Sequence, residues 1–459
     1  MKKNRTFFEI IITIAFALCI SYITILGYWR ISIGLIGFLS VLLYFKSEEG
    51  FFLFWLLTFS FFATQPLLTI AEHPILTYDR VFVIILFIIL IKKVIFEERK
   101  LLSLSGVEIA FIPFFMFIIF SILLKSFNPL QGFRILTDTF MIPFLFFYLA
   151  RNIFIDKERF IKFINVLFIV GVYISIIGIY EHFTEHDVLP VYHVEGGYDG
   201  LRDSGGWLRV NGPYIDDDVF GICAVLCFFI AIFKYVITDR SKRLQRVLLL
   251  FAACMVALAV VYCMYRGVWL ALVMGFIAWM FIRRKGFIKL SFVLLFLAIA
   301  IFTQFDRITN SITYQGRIAN IATIEDRLGK HDRAMSYFYI SPIYGIGFRN
   351  YFELTGTTSQ HGQIVTMLSE TGILGTIFYI WFLGTFFYYG IKNYKRYKRE
   401  KNYIEYEFSI IYIAILVGYV VPFIGLNSGF FRSPNILFFT ISGAALSSMQ
   451  RKQKELKDG

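Results

Sequence analysis

The chain has 459 residues, 58% hydrophobic and 17% charged, with a formal net charge of +13. Soluble domains are about 45–50% apolar, so the composition excludes a soluble globular protein. Its apolar runs are long enough to span a bilayer and do not alternate polar with apolar, which excludes a membrane barrel. All five cysteines fall inside apolar runs, so no disulfide framework is expected. Cys223 and Cys227 stand four apart on one helix face and read as small packing residues rather than a metal pair.

Fourteen candidate spans follow in chain order, at about 7–26, 31–45, 51–70, 80–96, 107–127, 133–150, 160–180, 217–237, 246–265, 267–282, 287–304, 363–391, 407–425 and 434–449. The first follows Lys2, Lys3 and Arg5 and reads as a retained span, too long for a cleaved signal sequence. The expected fold is all-α: a polytopic transmembrane bundle of 12–14 spans with a helical extracytoplasmic loop domain. It divides into N-terminal spans (1–180), a first outer loop (181–216), central spans (217–304), a large outer loop (305–362), and C-terminal spans with a cytoplasmic tail (363–459). The large loop is expected to hold one or two amphipathic helices over about 318–340, then a turn at Ser341-Pro342 and Gly345-Ile346-Gly347. An even span count puts both termini on one side, and the positive-inside rule makes that side cytoplasmic. All six His then fall outside, where Lys125 and Lys330 are the sole lysines among many arginines. Arg and His gathered opposite the lysines suggest a site that grips an anion and moves protons.

Four short motifs bear on chemistry. Arg209 precedes Gly212-Pro213 and the run Asp216-Asp217-Asp218, which could bind a divalent cation but reads first as a solvated loop or a helix N-terminal charge cluster. Arg134 and Asp138, four apart, suit a local ion pair. His182-Phe183-Thr184-Glu185-His186 fits a zinc-peptidase motif, though no third ligand is evident and the site is expected to be metal-free. Arg266 lies between two apolar runs, where a charge is costly unless it is paired, faces a cavity or snorkels.

The large loop and the following span are the strongest constellation. They carry Arg327, Arg333, Ser341-Pro342, Gly345-Ile346-Gly347-Phe348-Arg349, then His361-Gly362-Gln363 and Ser369-Glu370-Thr371-Gly372. His361 stands where an outer loop enters a helix. An imidazole there can take a proton from a hydroxyl, the helix start favours an anion, and arginine forks suit phosphate oxygens. Glu370 is about half a turn out of phase with His361, so it is expected to pair with an arginine of a neighbouring helix instead.

Arg266-Gly267, Arg327 with Pro342 and Gly345-Ile346-Gly347, and His361 with Glu370 and Gly372 together resemble the O-antigen ligase and polysaccharide polymerase superfamily. Arg209-x-x-Gly212 resembles a further segment of that family, and the likeness runs over about 200–425. The chain departs from the ligases in Gly362 after His361, in His331 where they carry an aromatic residue, and in fourteen spans against their twelve. The resemblance implies a membrane glycosyltransferase that uses an undecaprenyl-diphosphate-linked glycan as donor. The acceptor would be a hydroxyl of a glycan or a lipid-linked sugar, and the setting surface polysaccharide synthesis at a bacterial cytoplasmic membrane. It implies His361 as general base, and Arg266, Arg327, Arg209 and Arg333 as diphosphate ligands, with Glu370 supporting. It calls for no cofactor, no metal and no nucleic acid, and for membrane lipids and polysaccharide-assembly proteins as partners. The alternative is a transporter of lipid-linked oligosaccharide or polysaccharide.

Overall fold

The computed structural model describes residues 47–63, 66–70, 73–96, 101–188, 209–283, 321–356 and 362–458; for 66–70, 73–76, 321–328 and 448–458 it describes the backbone alone. The expected spans 7–26, 31–45 and 287–304 lie outside the described residues, as does His361.

The chain runs through α1 (Glu48–Phe62), a hairpin of β1 (Pro66–Ile70) and β2 (His73–Thr77), α2 (Tyr78–Phe96), α3 (Gly106–Lys125), α4 (Pro129–Leu136), a π-helical turn (Thr137–Met141) and α5 (Ile142–Ile153). It continues with α6 (Lys157–Thr184), α7 (Asp217–Ile237), α8 (Arg243–Tyr262), α9 (Arg266–Arg283), α10 (Ile321–Ile340), α11 (Asn350–Thr355), α12 (Gln363–Glu400), α13 (Tyr403–Val420) and α14 (Arg432–Asp458). Two 3-10 turns, Val421–Ile424 and Ser428–Phe430, link α13 to α14. Among the described residues eight segments are long and apolar enough to cross a membrane. The protein is an all-α, multi-pass membrane protein.

Burial sorts the helices into centre and rim. In α7 and in the segment Tyr403–Ile424, 83% and 78% of the apolar window is buried, against 33% and 28% in α8 and α9. Stacked aromatic pairs join the inner helices, with ring centroids 3.8 Å apart for Trp55–Phe146, 3.7 Å for Phe111–Phe144 and 3.8 Å for Tyr419–Phe438. Such pairs add specificity beyond the area they bury.

Two expectations are corrected. The span expected at 51–70 ends as a helix at Phe62, and Pro66 opens a strand instead. Pro66 and, on the partner strand, Pro74 have no N–H to continue a helix. The span expected at 133–150 is Pro129–Ile153, interrupted by the π turn. Pro143 cannot donate to the Thr139 carbonyl, and the Asn435 side chain does so at 2.9 Å. The local pair expected of Arg134 with Asp138 gives way to a longer-range one. Asp138 pairs instead with Arg80 of α2, at 3.0 Å from Nε and 2.8 Å from Nη2.

The lysine-rich end of the bundle is held by carboxylates. Glu108 closes a capping box with Ser105 at the start of α3. The same carboxylate binds Arg151 at the end of α5, and both side chains are buried. Lys162 reaches Glu49 at 3.3 Å, and Lys93 reaches Glu48 at 3.4 Å. Removing one partner of a buried ion pair leaves the other uncompensated, which costs about 3–5 kcal/mol. Arg151→Met should therefore lower the thermal unfolding temperature in detergent sharply, and adding Glu108→Gln should recover much of the loss. A double variant as unstable as the single one would show that stability there does not depend on charge compensation.

Candidate functional site

The segment 341–350 and the first turns of α12 form one backbone unit. Gly372 lies inside α12 at φ 66°, ψ −167°, so the helix is broken there. A break orphans carbonyls before it and N–H groups after it, and lipid offers no water to satisfy them. The loop supplies the partners. Ile346 and Gly347 donate to the carbonyls of Ser369 and Glu370, each at 2.9 Å. Ile373 and Leu374 donate to the carbonyls of Pro342 and Ile343, at 2.8 and 3.3 Å.

Glycine is required on both sides of this contact. A Cβ on Gly345 (φ +67°) would lie 2.3 Å from the Glu370 carbonyl carbon, and one on Gly372 2.4 Å from the Ile343 oxygen. The end of α3 pins the loop from the other side. Lys125 Nζ donates to the Gly345 carbonyl at 2.7 Å. The buried Asn350 side chain donates to Lys125 O at 2.7 Å and accepts from Phe127 N at 2.9 Å. The glycines and Glu370 that the sequence groups with catalysis thus build a structural lock. Glu370 meets Arg349, which caps the neighbouring α11, through the backbone: its Oε2 accepts the Arg349 N–H at 3.0 Å, and the Arg349 charge acts on the same carboxyl. The loop folded back onto the break in α12 reaches this carboxyl directly.

His361 lies outside the described residues, but the residues that follow it are anchored. Gly362 N donates to Asn427 Oδ1 at 3.1 Å, and Thr366 Oγ1 donates to the same oxygen at 2.8 Å. His331 Nε2 of α10 stands 3.1 Å from where a Cβ on Gly362 would be. α10 therefore meets the start of α12. Arg327 is one turn before His331 in α10, with its side chain outside the described set, and Arg333 is exposed. Arg266 opens α9, half-buried, directly after a turn in which Met264 has φ 51°. The preceding Tyr265 hydroxyl donates to Gly425 O at 3.5 Å. The 421–430 segment thus touches both the Arg266 turn and the Gly362 start.

Three arginines at this end are held by carboxylates. Arg209 meets Asp217 at 3.2 Å, Arg432 meets Asp79 at 2.7 Å, and Arg80 meets Asp138. Asp79 also accepts from the Trp55 indole at 3.0 Å. Asp216 caps α7, with Asp217 and Asp218 in its first turn, which is the charge-cluster arrangement. α6 stops at Thr184, with Glu185 left-handed, so His182 and His186 do not share a helix face. His182 stacks on Tyr262 at 3.8 Å.

Residues that the sequence reading did not single out also stand here. Gln363 is fully buried, and neither of its amide atoms has a hydrogen-bond partner. Its amide borders Gly429, and the buried hydroxyl of the adjacent Ser428 is likewise without a partner. Arg349 has φ +67°, and its buried Nε is unmatched. Unmatched buried polar groups are uncommon and ask for a ligand or water. The sequence signal was the polar stretch Asn427-Ser428-Gly429 between apolar runs. From Gly362 an apolar groove of about 370 Å³ runs between α12 and α13, past Val365, Leu383, Phe387 and Phe423.

Glu370→Gln keeps an acceptor for Arg349 N–H and should unfold near the wild-type temperature in detergent. Glu370→Ala removes it and should cost about 1.5–3 kcal/mol, the range for hydrogen bonds to charged groups. Equal unfolding temperatures for Ala and wild type would refute the lock. No family model matches the chain, and no curated protein matches it.

Proposed function

We propose that the protein is a membrane glycosyltransferase of surface polysaccharide synthesis, working at the outer face of a bacterial cytoplasmic membrane. It moves a glycan from an undecaprenyl-diphosphate donor to a sugar hydroxyl, as a ligase or a polymerase. The observation that carries this reading is the meeting, at Gly362, of an apolar groove and a polar recess. A polyprenyl chain needs the first, and the sugar and diphosphate need the second.

In this mechanism His361 takes the proton of the acceptor hydroxyl. The freed oxygen attacks the anomeric carbon of the donor sugar, and the bond to the diphosphate breaks. Negative charge then grows on the leaving diphosphate, where preorganised arginines stabilise it. Arg266 and Arg327 are the pair that the resemblance implies; Arg209 meets Asp217 and Arg333 is exposed. Arg349 is a further donor at the loop end. The outer location explains the donor: activated sugar nucleotides stay in the cytoplasm, so a lipid-linked glycan must serve. A transporter would instead set its charges along a midplane cavity open to both sides. The ion pairs at Arg80, Arg209 and Arg432 and those at Lys93, Arg151 and Lys162 gather toward helix ends, which favours the enzyme.

In proteoliposomes supplied with lipid-linked glycan, His361→Ala should reduce transfer by about 10²–10⁴, the usual contribution of a general base. Arg266→Lys should also be severely impaired, because an ammonium cannot reproduce the guanidinium fork. Gln363→Leu, close in size, should weaken acceptor use while the protein stays folded. Normal transfer by the His361 and Arg266 variants together would sink the assignment.

A further inference from the structure

The opposite, lysine-rich end holds a separate polar cavity of about 200 Å³. It is walled by residues 235–240 at the end of α7 and by Arg246, Arg283 and Tyr403. Arg240, Arg246 and Arg283 thus face a wall in which Asp239 is the acid. Each of two guanidinium groups is steadied by an aromatic ring. Arg246 lies over Tyr235 at 4.5 Å, and Arg283 lies over Trp279 at 5.5 Å. Stacking fixes the plane of a guanidinium and leaves its edge donors available. Arg246 Nε is buried without a hydrogen-bond partner. Arg283 is 3.4 Å from Glu407, a loose contact that leaves donor capacity unused. Tyr403 closes the wall by donating to Val236 O at 3.2 Å.

A small cavity with converging arginines fits a phosphate group. The flanking surface says how that phosphate is carried. Around Arg246 the rim helix α8 exposes Leu244, Val247, Leu248 and Phe251, and α9 exposes Phe281 two residues before Arg283. An occupant that joins phosphate to hydrocarbon matches both. We infer that this cavity binds the headgroup of an anionic phospholipid, with the phosphate held by Arg246, Arg283 and Arg240 and the acyl chains lying along α8. Basic pockets between spans on the cytoplasmic side recognise headgroups in this way. The inference is independent of the glycosyltransferase reading, since it concerns the other end of the bundle.

The test uses the purified full-length protein with phosphatidylglycerol or phosphatidylcholine, and native mass spectrometry to read the lipid retained. Wild type should retain phosphatidylglycerol preferentially. Arg246→Gln and the surface variant Arg240→Gln should each weaken that retention about fivefold, from roughly 1 kcal/mol per basic residue near the membrane surface. Phosphatidylcholine retention should not change, and Arg246→Lys should keep the preference for the anionic lipid. Unchanged phosphatidylglycerol retention in both Gln variants would overturn the site. Wild-type binding of free inorganic phosphate as tight as that of phosphatidylglycerol would overturn the lipid assignment.

Discussion

The arrangement of the candidate site depends on the backbone pairing between residues 342–347 and the break in α12. A helix in lipid cannot be interrupted without partners for the groups it releases. Here the partners come from the chain's own loop, through Ile346, Gly347, Pro342 and Ile343. That pairing is why a segment rich in turn residues holds a fixed position against the bundle. It follows α10 directly, so it also fixes where α10 ends and supports the contact of His331 with Gly362. Lys125 and Asn350 extend the same lock to α3.

Charge is distributed by a second rule. At both ends of the bundle, arginines and lysines are matched to carboxylates that are themselves buried, such as Glu108, Asp79 and Asp217. A buried carboxylate without a cation would be costly, and a cation on a helix end can snorkel, so the acids determine which arginines are structural. Arg209 and Arg432 are assigned in this way, and Arg80 is held by the half-buried Asp138. The arginine enrichment of the outer side therefore has two origins. Some of it clamps helices together, and the proposed chemistry draws on Arg266 and Arg327.

Much of the fold was legible because membrane spans are set by hydropathy alone. The expected 217–237 coincides with α7, and 318–340 anticipates α10 within three residues. The expected turn at Ser341-Pro342 also matches, with Gly345 N donating to Ser341 O at 2.8 Å. What the sequence could not carry was backbone departure from a regular helix. The strand at Pro66, the π turn before Pro143 and the break at Gly372 all shift side chains out of the phase that regular spacing assumes. Two expected pairings also changed: Asp138 went to Arg80 rather than Arg134, and Glu370 accepts the Arg349 backbone N–H. Gln363 and Ser428 were missed for another reason. Their significance is that they are buried and unmatched, and burial at a helix start is a tertiary property.

The break and the groove are connected. An unbroken α12 would carry its first turns along one axis from Gln363 to Glu400. With Gly372 at φ 66°, residues 363–371 are freed from that axis, and their direction is set by the loop and by Asn427. The same residues present two faces. Ile364 and Val365 line the apolar groove, whereas Gln363 and Thr366 turn toward the 427–429 segment. A single short helix start thus separates a hydrocarbon path from a polar recess. The proposed amphiphilic donor would use that division, its chain along the groove and its polar linkage toward Gln363 and Thr366. The glycine motifs shape this division through backbone contact alone, at Gly345 and Gly372.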